Sequence, residues 1–299
     1  MRLAICPRNF QGMNGKYNTV EECMALCGEA GFTEFDFGIR SHIGSSFVYF
    51  DGFEEHARAI AEYAGENGYT FVQSHAPYAY AFYGNPDTYR ELTRRSFIVA
   101  SVLGAEYIVI HGLYRPDPDV PEDVEADLER AYEFYAPMAE LADRLNLKIA
   151  VENLFNFGRK HTFTADVEEQ LALIERLDAP HVGACWDTGH GRVRYGSECV
   201  EKMKLLGRHL WCTHVHDNLQ GKDLHLPPFM GDLPWTGLMQ GLCEMEYAGD
   251  LTLELRAGWL PEEMVVPYLS YVYRAGRTLI FMKEKYHAEH GIRKGEKTV

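Results

Sequence analysis

The sequence predicts an α/β protein built as a single (β/α)8 TIM-type barrel, and three observations carry that prediction. Short apolar runs of strand length alternate with longer amphipathic segments from one end of the chain to the other. Eight such pairs can be counted, and parallel strands joined by right-handed crossovers close most naturally into a barrel at that number. Ionisable residues fall at the carboxyl ends of the later strands, where a barrel keeps its chemistry. An open doubly wound sheet is the main alternative. No GxGxxG follows the first strand, which argues against its dinucleotide-binding version.

Taken in order, Arg2–Cys6 is the first strand, and Thr19 is placed to cap a helix that runs to Glu29 and stops at Gly31. Phe32–Phe37 alternates as the second strand and carries Glu34 and Asp36. A helix over Phe53–Glu66 closes at Asn67-Gly68, and Tyr69–Ser74 is the third strand, delivering His75 into the turn SHAPY. Pro86–Leu103 is helical, and the β-branched run Tyr107–Ile110 hands over His111-Gly112. Pro121–Leu145 reads as a long helix, Leu147–Val151 as a strand ending in Glu152, and Ala165–Leu177 as a helix. His181–Trp186 is strand six, ending at Asp187, with one helix, Ser197–Leu206, expected after it. Leu210–Asp217 is strand seven, Trp235–Met245 a helix, Leu251–Leu255 strand eight with Glu254, and Pro261 to about Tyr286 the closing helix. No linker divides the chain, so residues 1–286 are expected to form the barrel and residues 287–299 a polar tail.

Composition narrows the function. Forty-four acidic side chains against 29 basic ones give a net charge of −15, a field that repels polyphosphates and argues against a nucleic-acid partner. No stretch is apolar for long enough to cross a bilayer, and the start MRLAICPRNF turns polar too soon for a signal peptide. A soluble, cytoplasmic protein with no membrane partner is therefore expected. The seven cysteines form no CxxC pair and read as small buried apolar residues of a reducing compartment. An acidic barrel rich in tyrosine is compatible with a homo-oligomer.

The functional signal lies in where the ionisable residues fall. His75, His111, Glu152, Asp187, His214 and Glu254 stand at the ends of strands three to eight, one per strand, and His190, Asp223 and His225 follow in the adjoining loops. Each alone has a plain structural role open to it: a strand-end histidine can bond a carbonyl, and a strand-end glutamate can pair with an arginine such as Arg256. Together they would crowd carboxylates at one mouth, and a divalent cation removes that repulsion. His214 and His216 share a strand face because side chains alternate with period two.

SHAPY, IVIHG, VENL, DTGH, HVHDN, DLH (223–225) and LTLEL, in that order, resemble the xylose isomerase-like superfamily, which includes sugar isomerases and epimerases, dehydratases and endonuclease IV. The resemblance implies a metal held by Glu152, Asp187, His214 and Glu254, with His216 beside it or on substrate. In the epimerase branch those four hold one ion. In the endonuclease IV branch three zinc ions are held by nine side chains, and His75, His111, Glu152, Asp187, His190, His214, Asp223, His225 and Glu254 match all nine in type. The glycine-rich sequence expected after the fifth-strand glutamate in those nucleases is replaced by ENLFNFGRKHTF, and no basic DNA-gripping patch is evident.

The chemistry expected is that of a hard divalent ion, manganese or zinc, one to three per chain, acting on a carbohydrate. Such an ion binds two adjacent oxygens of a hydroxy-ketone, acidifies the C–H between them and stabilises the enediolate. Glu152 and Glu254 would move the proton, giving epimerisation or aldose–ketose isomerisation. His190, His216 and Lys222 would orient hydroxyls, with Trp186, Tyr114, Phe155 and Trp235 as an apolar wall. Alternatives are a metal-dependent dehydratase or lyase on a cyclic polyol or keto-sugar, a multinuclear zinc phosphodiesterase, and a non-catalytic sugar-binding barrel.

Overall fold

The computed structural model describes residues 1–7, 19–39, 47–78, 85–113, 123–156, 161–256 and 260–291. Its strands are β1 (Leu3–Ile5), β2 (Glu34–Gly38), β3 (Thr70–His75), β4 (Tyr107–Ile110), β5 (Lys148–Glu152), β6 (Val182–Asp187), β7 (Leu210–Val215), β8 (Asp217–Leu219), β9 (Lys222–Leu226) and β10 (Leu251–Leu253). Eight of them close a parallel barrel in the order β1, β10, β7, β6, β5, β4, β3, β2, while β8 and β9 pair only with each other, antiparallel. The predicted barrel is therefore what the chain forms.

The helices are α1 (Val20–Glu29), α2 (Phe53–Glu66), α3 (Pro86–Val102), α4 (Val124–Arg144), α5 (Val167–Leu177), α6 (Thr188–Tyr195), α7 (Cys199–Lys204), α8 (Trp235–Glu244) and α9 (Glu262–His290). Local chemistry sets their starts. Thr19 and Glu22 satisfy each other's backbone N–H groups at the head of α1, as the cap reading expected. Asn85 caps α3 ahead of Pro86, and Asp123 caps α4.

Strand alternation sorts the core into two parts. Phe35, Phe37, Ile108, Ile110, Ile149, Val151, Leu251 and Leu253 join the helices in the main hydrophobic cluster, each fully buried side chain contributing about 1.5–3 kcal/mol. Tyr107, Val109, Ala150, Cys185 and Cys212 form a separate small cluster, the plug of the barrel interior. All seven cysteines are free and buried, as their apolar reading implied.

The structure departs from expectation after strands six and seven. An additional helix, α6, starts directly at Asp187, and the expected Ser197–Leu206 helix shrinks to α7. Strand seven ends at Val215, and Asp217 opens the β8–β9 hairpin. The closing helix continues to His290. Among the described residues no helix is long and apolar enough to cross a membrane. Tyr114 and residues 292–299 of the tail lie outside the described residues.

Candidate metal centre at the barrel mouth

The strand ends bring three sets of ligand atoms together, each set within 4.8 Å: His75, His111 and Glu152; Glu152, Asp187, His214 and Glu254; and His190, His216, Asp223 and His225. Glu152 belongs to two of them. Its Oε2 lies 3.0 Å from His75 Nε2 and 2.7 Å from His111 Nε2, while its Oε1 lies 3.0 Å from His214 Nδ1. Glu254 Oε2 approaches the same His214 nitrogen at 3.4 Å.

The donor set fits a divalent cation, and the histidine tautomers show why. His75 Nδ1–H donates to the Ala76 carbonyl at 2.6 Å, His190 Nδ1–H to the Asn153 carbonyl at 3.0 Å, and His225 Nδ1–H to the Glu254 carbonyl at 2.9 Å. A backbone acceptor on Nδ1 leaves Nε2 as the lone pair, the arrangement by which proteins orient a metal-binding imidazole. The Nε2 atoms of His75 and His111 lie only 3.1 Å apart with a carboxylate oxygen between their reaches. Imidazole nitrogens and a carboxylate gathered so closely could share one cation.

The electrostatics agree. Burial pushes the Glu152 carboxyl up, but His214 and His111 together outweigh it and hold the group well below the ordinary carboxylate range. Asp187 is lowered in the same way by His190 and His216, and Glu254 by His214 and His225. The imidazoles respond in turn: against the cost of burial, Asp187 and Glu152 carry His190 up to about 10, and His214 is raised well above its usual value. His111 goes the other way, lowered by burial. Protons on the imidazoles thus balance the carboxylates, a task a metal ion would take over on binding.

Polar side chains stitch the strand ends in place. Gln170 donates from Nε2 to the carbonyls of Val151 and Cys185, and Thr164 donates its hydroxyl to the Glu152 carbonyl. Asp187 accepts the backbone N–H of His190 at 2.7 Å with Oδ1, so the carboxylate caps α6 while its other oxygen meets His216 Nε2 at 3.1 Å. Two glycines are fixed by close approach: a Cβ on Gly112 would stand 2.1 Å from the Phe163 carbonyl, and one on Gly189 would stand 1.9 Å from the His216 ring.

All nine predicted ligand residues meet at the mouth, and His216 joins them. Phe155 sits against His190, with ring centroids 5.2 Å apart. Trp186 does not reach the mouth: it is fully buried, stacked 6.4 Å from Tyr195, and Gly191 makes room for its ring. Its neighbour Asp187 faces inward, so alternation sends Trp186 outward and removes it from the substrate contacts. Trp235 is likewise buried, donating its Nε1–H to Asp217. Asp217 also accepts from the backbone of Asn218 and Leu233, which makes it a hairpin anchor outside the three ligand sets. Lys222 is exposed at the turn end of that hairpin. Tyr78, whose ring lies 4.7 Å from His111, has no place in the sequence reading, and Asp36, placed there only on its strand, is buried with Oδ2 3.8 Å from His214 Nε2. Tyr78 follows the SHAPY histidine by three residues, and Asp36 has the inward parity of its strand; both signals were present.

Parallel strands ringed by helices, with histidines and carboxylates gathered where the strands end, define the class of barrel. The chain matches the xylose isomerase-like TIM barrel family over residues 24–269 and belongs to that family. It is 27% identical over 302 residues to the uncharacterized protein y4fM of Sinorhizobium fredii, covering 89% of each chain. Among solved structures it resembles a D-tagatose 3-epimerase-like protein, with a TM-score of 0.73 at 19% identity over 97% of this chain and 100% of that one. A D-psicose 3-epimerase gives 0.70 at 16% identity over 94% and 99%. At such identities the two structures speak to the fold.

Proposed function

We propose that the protein is a divalent-metal-dependent isomerase or epimerase of a sugar or sugar phosphate, moving a proton at the carbon beside a carbonyl by way of an enediolate. One observation carries this reading: Glu152 and Glu254, on strands separated by β6 and β7, both reach His214 Nδ1, so two ionised carboxylates flank one ligand group. A bound manganese or zinc ion would supply the positive charge that acidifies a C–H between two adjacent oxygens. Glu152 takes the proton on one side, and Glu254 returns it on the other face or to the neighbouring carbon. His190 and His216 orient hydroxyls, and Phe155 and Tyr78 line the edges. Family membership and the fold shared with sugar 3-epimerases support a carbohydrate as substrate.

A second reading, multinuclear zinc phosphodiester hydrolysis, is favoured by the two further ligand sets. With His75 and His111 drawing on Glu152 Oε2, a second ion would engage the proposed base at both oxygens. Metal counting by elemental mass spectrometry, paired with substrate panels, separates the two. One ion exchangeable for manganese together with ketose interconversion supports the isomerase. Two or three zinc ions together with cleavage of abasic DNA or a phosphodiester supports the hydrolase.

A further inference from the structure

Below the ligand sets, four side chains from four strands meet in the barrel interior: Asp36 on β2, Gln73 on β3, His214 on β7 and Thr252 on β10. All are essentially excluded from solvent. Thr252 donates its hydroxyl to Gln73 Oε1 at 3.2 Å, which commits that amide oxygen and leaves the Gln73 NH2 as the group able to serve Asp36. Three atoms of this layer, Asp36 Oδ1, Gln73 Nε2 and His214 Nε2, have no hydrogen-bond partner among the described residues. A buried polar atom left so costs about 1–3 kcal/mol. Here the unpartnered atoms are two donors and an acceptor, the complement needed for one closed network.

His214 connects that layer to the mouth. Its Nδ1 faces Glu152 and Glu254, and its Nε2 faces Asp36 Oδ2 at 3.8 Å. An imidazole that offers Nδ1 as a lone pair must carry its proton on Nε2, and that proton points at a carboxylate. The other mouth histidines with a fixed tautomer, His75, His190 and His225, use backbone carbonyls for this purpose. His214 is different.

We propose that Asp36 is the positioning residue for His214: its carboxylate, facing Nε2 at 3.8 Å, takes the Nε2–H and so holds Nδ1 toward the Glu152, Asp187 and Glu254 ligand set. The assignment rests on the metal reading of that set and adds to it a residue that touches neither metal nor substrate. Gln73, oriented by Thr252, is left with its NH2 free to turn toward that carboxylate.

Asp36→Asn preserves shape and removes the charged acceptor. Manganese titrated into the metal-free variant is expected to bind about 10–100-fold more weakly than into wild type, with the cobalt-loaded visible spectrum shifted and the metal-free unfolding midpoint retained. Wild-type manganese affinity in a folded Asp36→Asn protein overturns the assignment. A measurement on the wild type stands even where the variant does not fold: 15N-histidine NMR of the zinc-loaded protein should show His214 bound through Nδ1, with a downfield, exchange-protected Nε2–H. A proton on Nδ1, or an Nε2–H exchanging freely with solvent, overturns it as well. A wild-type protein that takes up no metal removes the metal reading itself.

Discussion

The Asn153 amide bonds both main-chain groups of Asp187, accepting its N–H at 2.7 Å and donating to its carbonyl at 3.1 Å. The pair reproduces a rung of the sheet one residue beyond β5, so the β5–β6 ladder effectively continues to the mouth. Glu152 and Asp187 are thereby locked at a fixed separation by the residue that follows one of them. Asn153→Asp replaces the donating NH2 with an oxygen facing a carbonyl. The expected loss is about 1–3 kcal/mol in urea unfolding, accompanied by weaker manganese binding. Unchanged stability and affinity would show that the strand ends do not depend on this bridge.

Gly189 makes a second test, this time of shape. With a Cβ only 1.9 Å from the His216 ring, Gly189→Ala forces the ring or the start of α6 to move, at a cost of about 1–3 kcal/mol. Because Asp187 caps α6, manganese binding at the Glu152, Asp187, His214 and Glu254 set should weaken with it. A variant as stable as wild type, with full metal content, would mean the helix yields freely.

His214 on β7 and His216 just beyond it belong to different ligand sets, so their removal should be distinguishable. His214→Ala is expected to empty the Glu152, Asp187 and Glu254 set and lower manganese affinity by roughly 100-fold or more, whereas His216→Ala should spare that affinity to within about 10-fold. Titrations showing the reverse order would exchange the roles assigned to these residues.

The pH dependence of the metal-free protein follows from its histidines. His190 is carried from 6.5 to about 10 by Asp187 and Glu152, and His75, His214 and His225 are raised as well. A folded-state value above the unfolded one stabilises fully below about 6.5 and loses that contribution as pH climbs toward 10. Chelator-treated protein should therefore lose melting temperature between pH 6.5 and 10, and manganese-loaded protein should lose less. A metal-free melting temperature that rises over this range would contradict the charge balance described for the mouth.

Much of this site could be read from strand parity. Period-two alternation turns Glu152, Asp187, His214 and Glu254 inward once the strand ends are placed, and a barrel topology brings them to one mouth. The same parity, applied to its neighbour, sends Trp186 outward, against its place in the expected apolar wall. The helix α6 was hidden because DTGHGRVRYG reads as loop, and its glycines answer to distant contacts with His216 and Trp186. Asp217 follows two histidines in the sequence, yet its partners Leu233 and Trp235 lie 16 and 18 residues onward, beyond any local pattern. Asp36 has a legible place on the second strand, but its relation to His214 exists only across the closed barrel.

Solvent-deuterium incorporation bears most directly on proton transfer by the carboxylate pair. Manganese-loaded protein incubated with a panel of ketoses and ketose phosphates in heavy water should place deuterium on the carbon beside the carbonyl of at least one of them. Glu152→Gln and Glu254→Gln should each slow that exchange by about 10²–10⁴-fold while leaving the fold intact. Exchange that survives both substitutions, or no exchange into any ketose by protein that cleaves a phosphodiester, would contradict the isomerase reading.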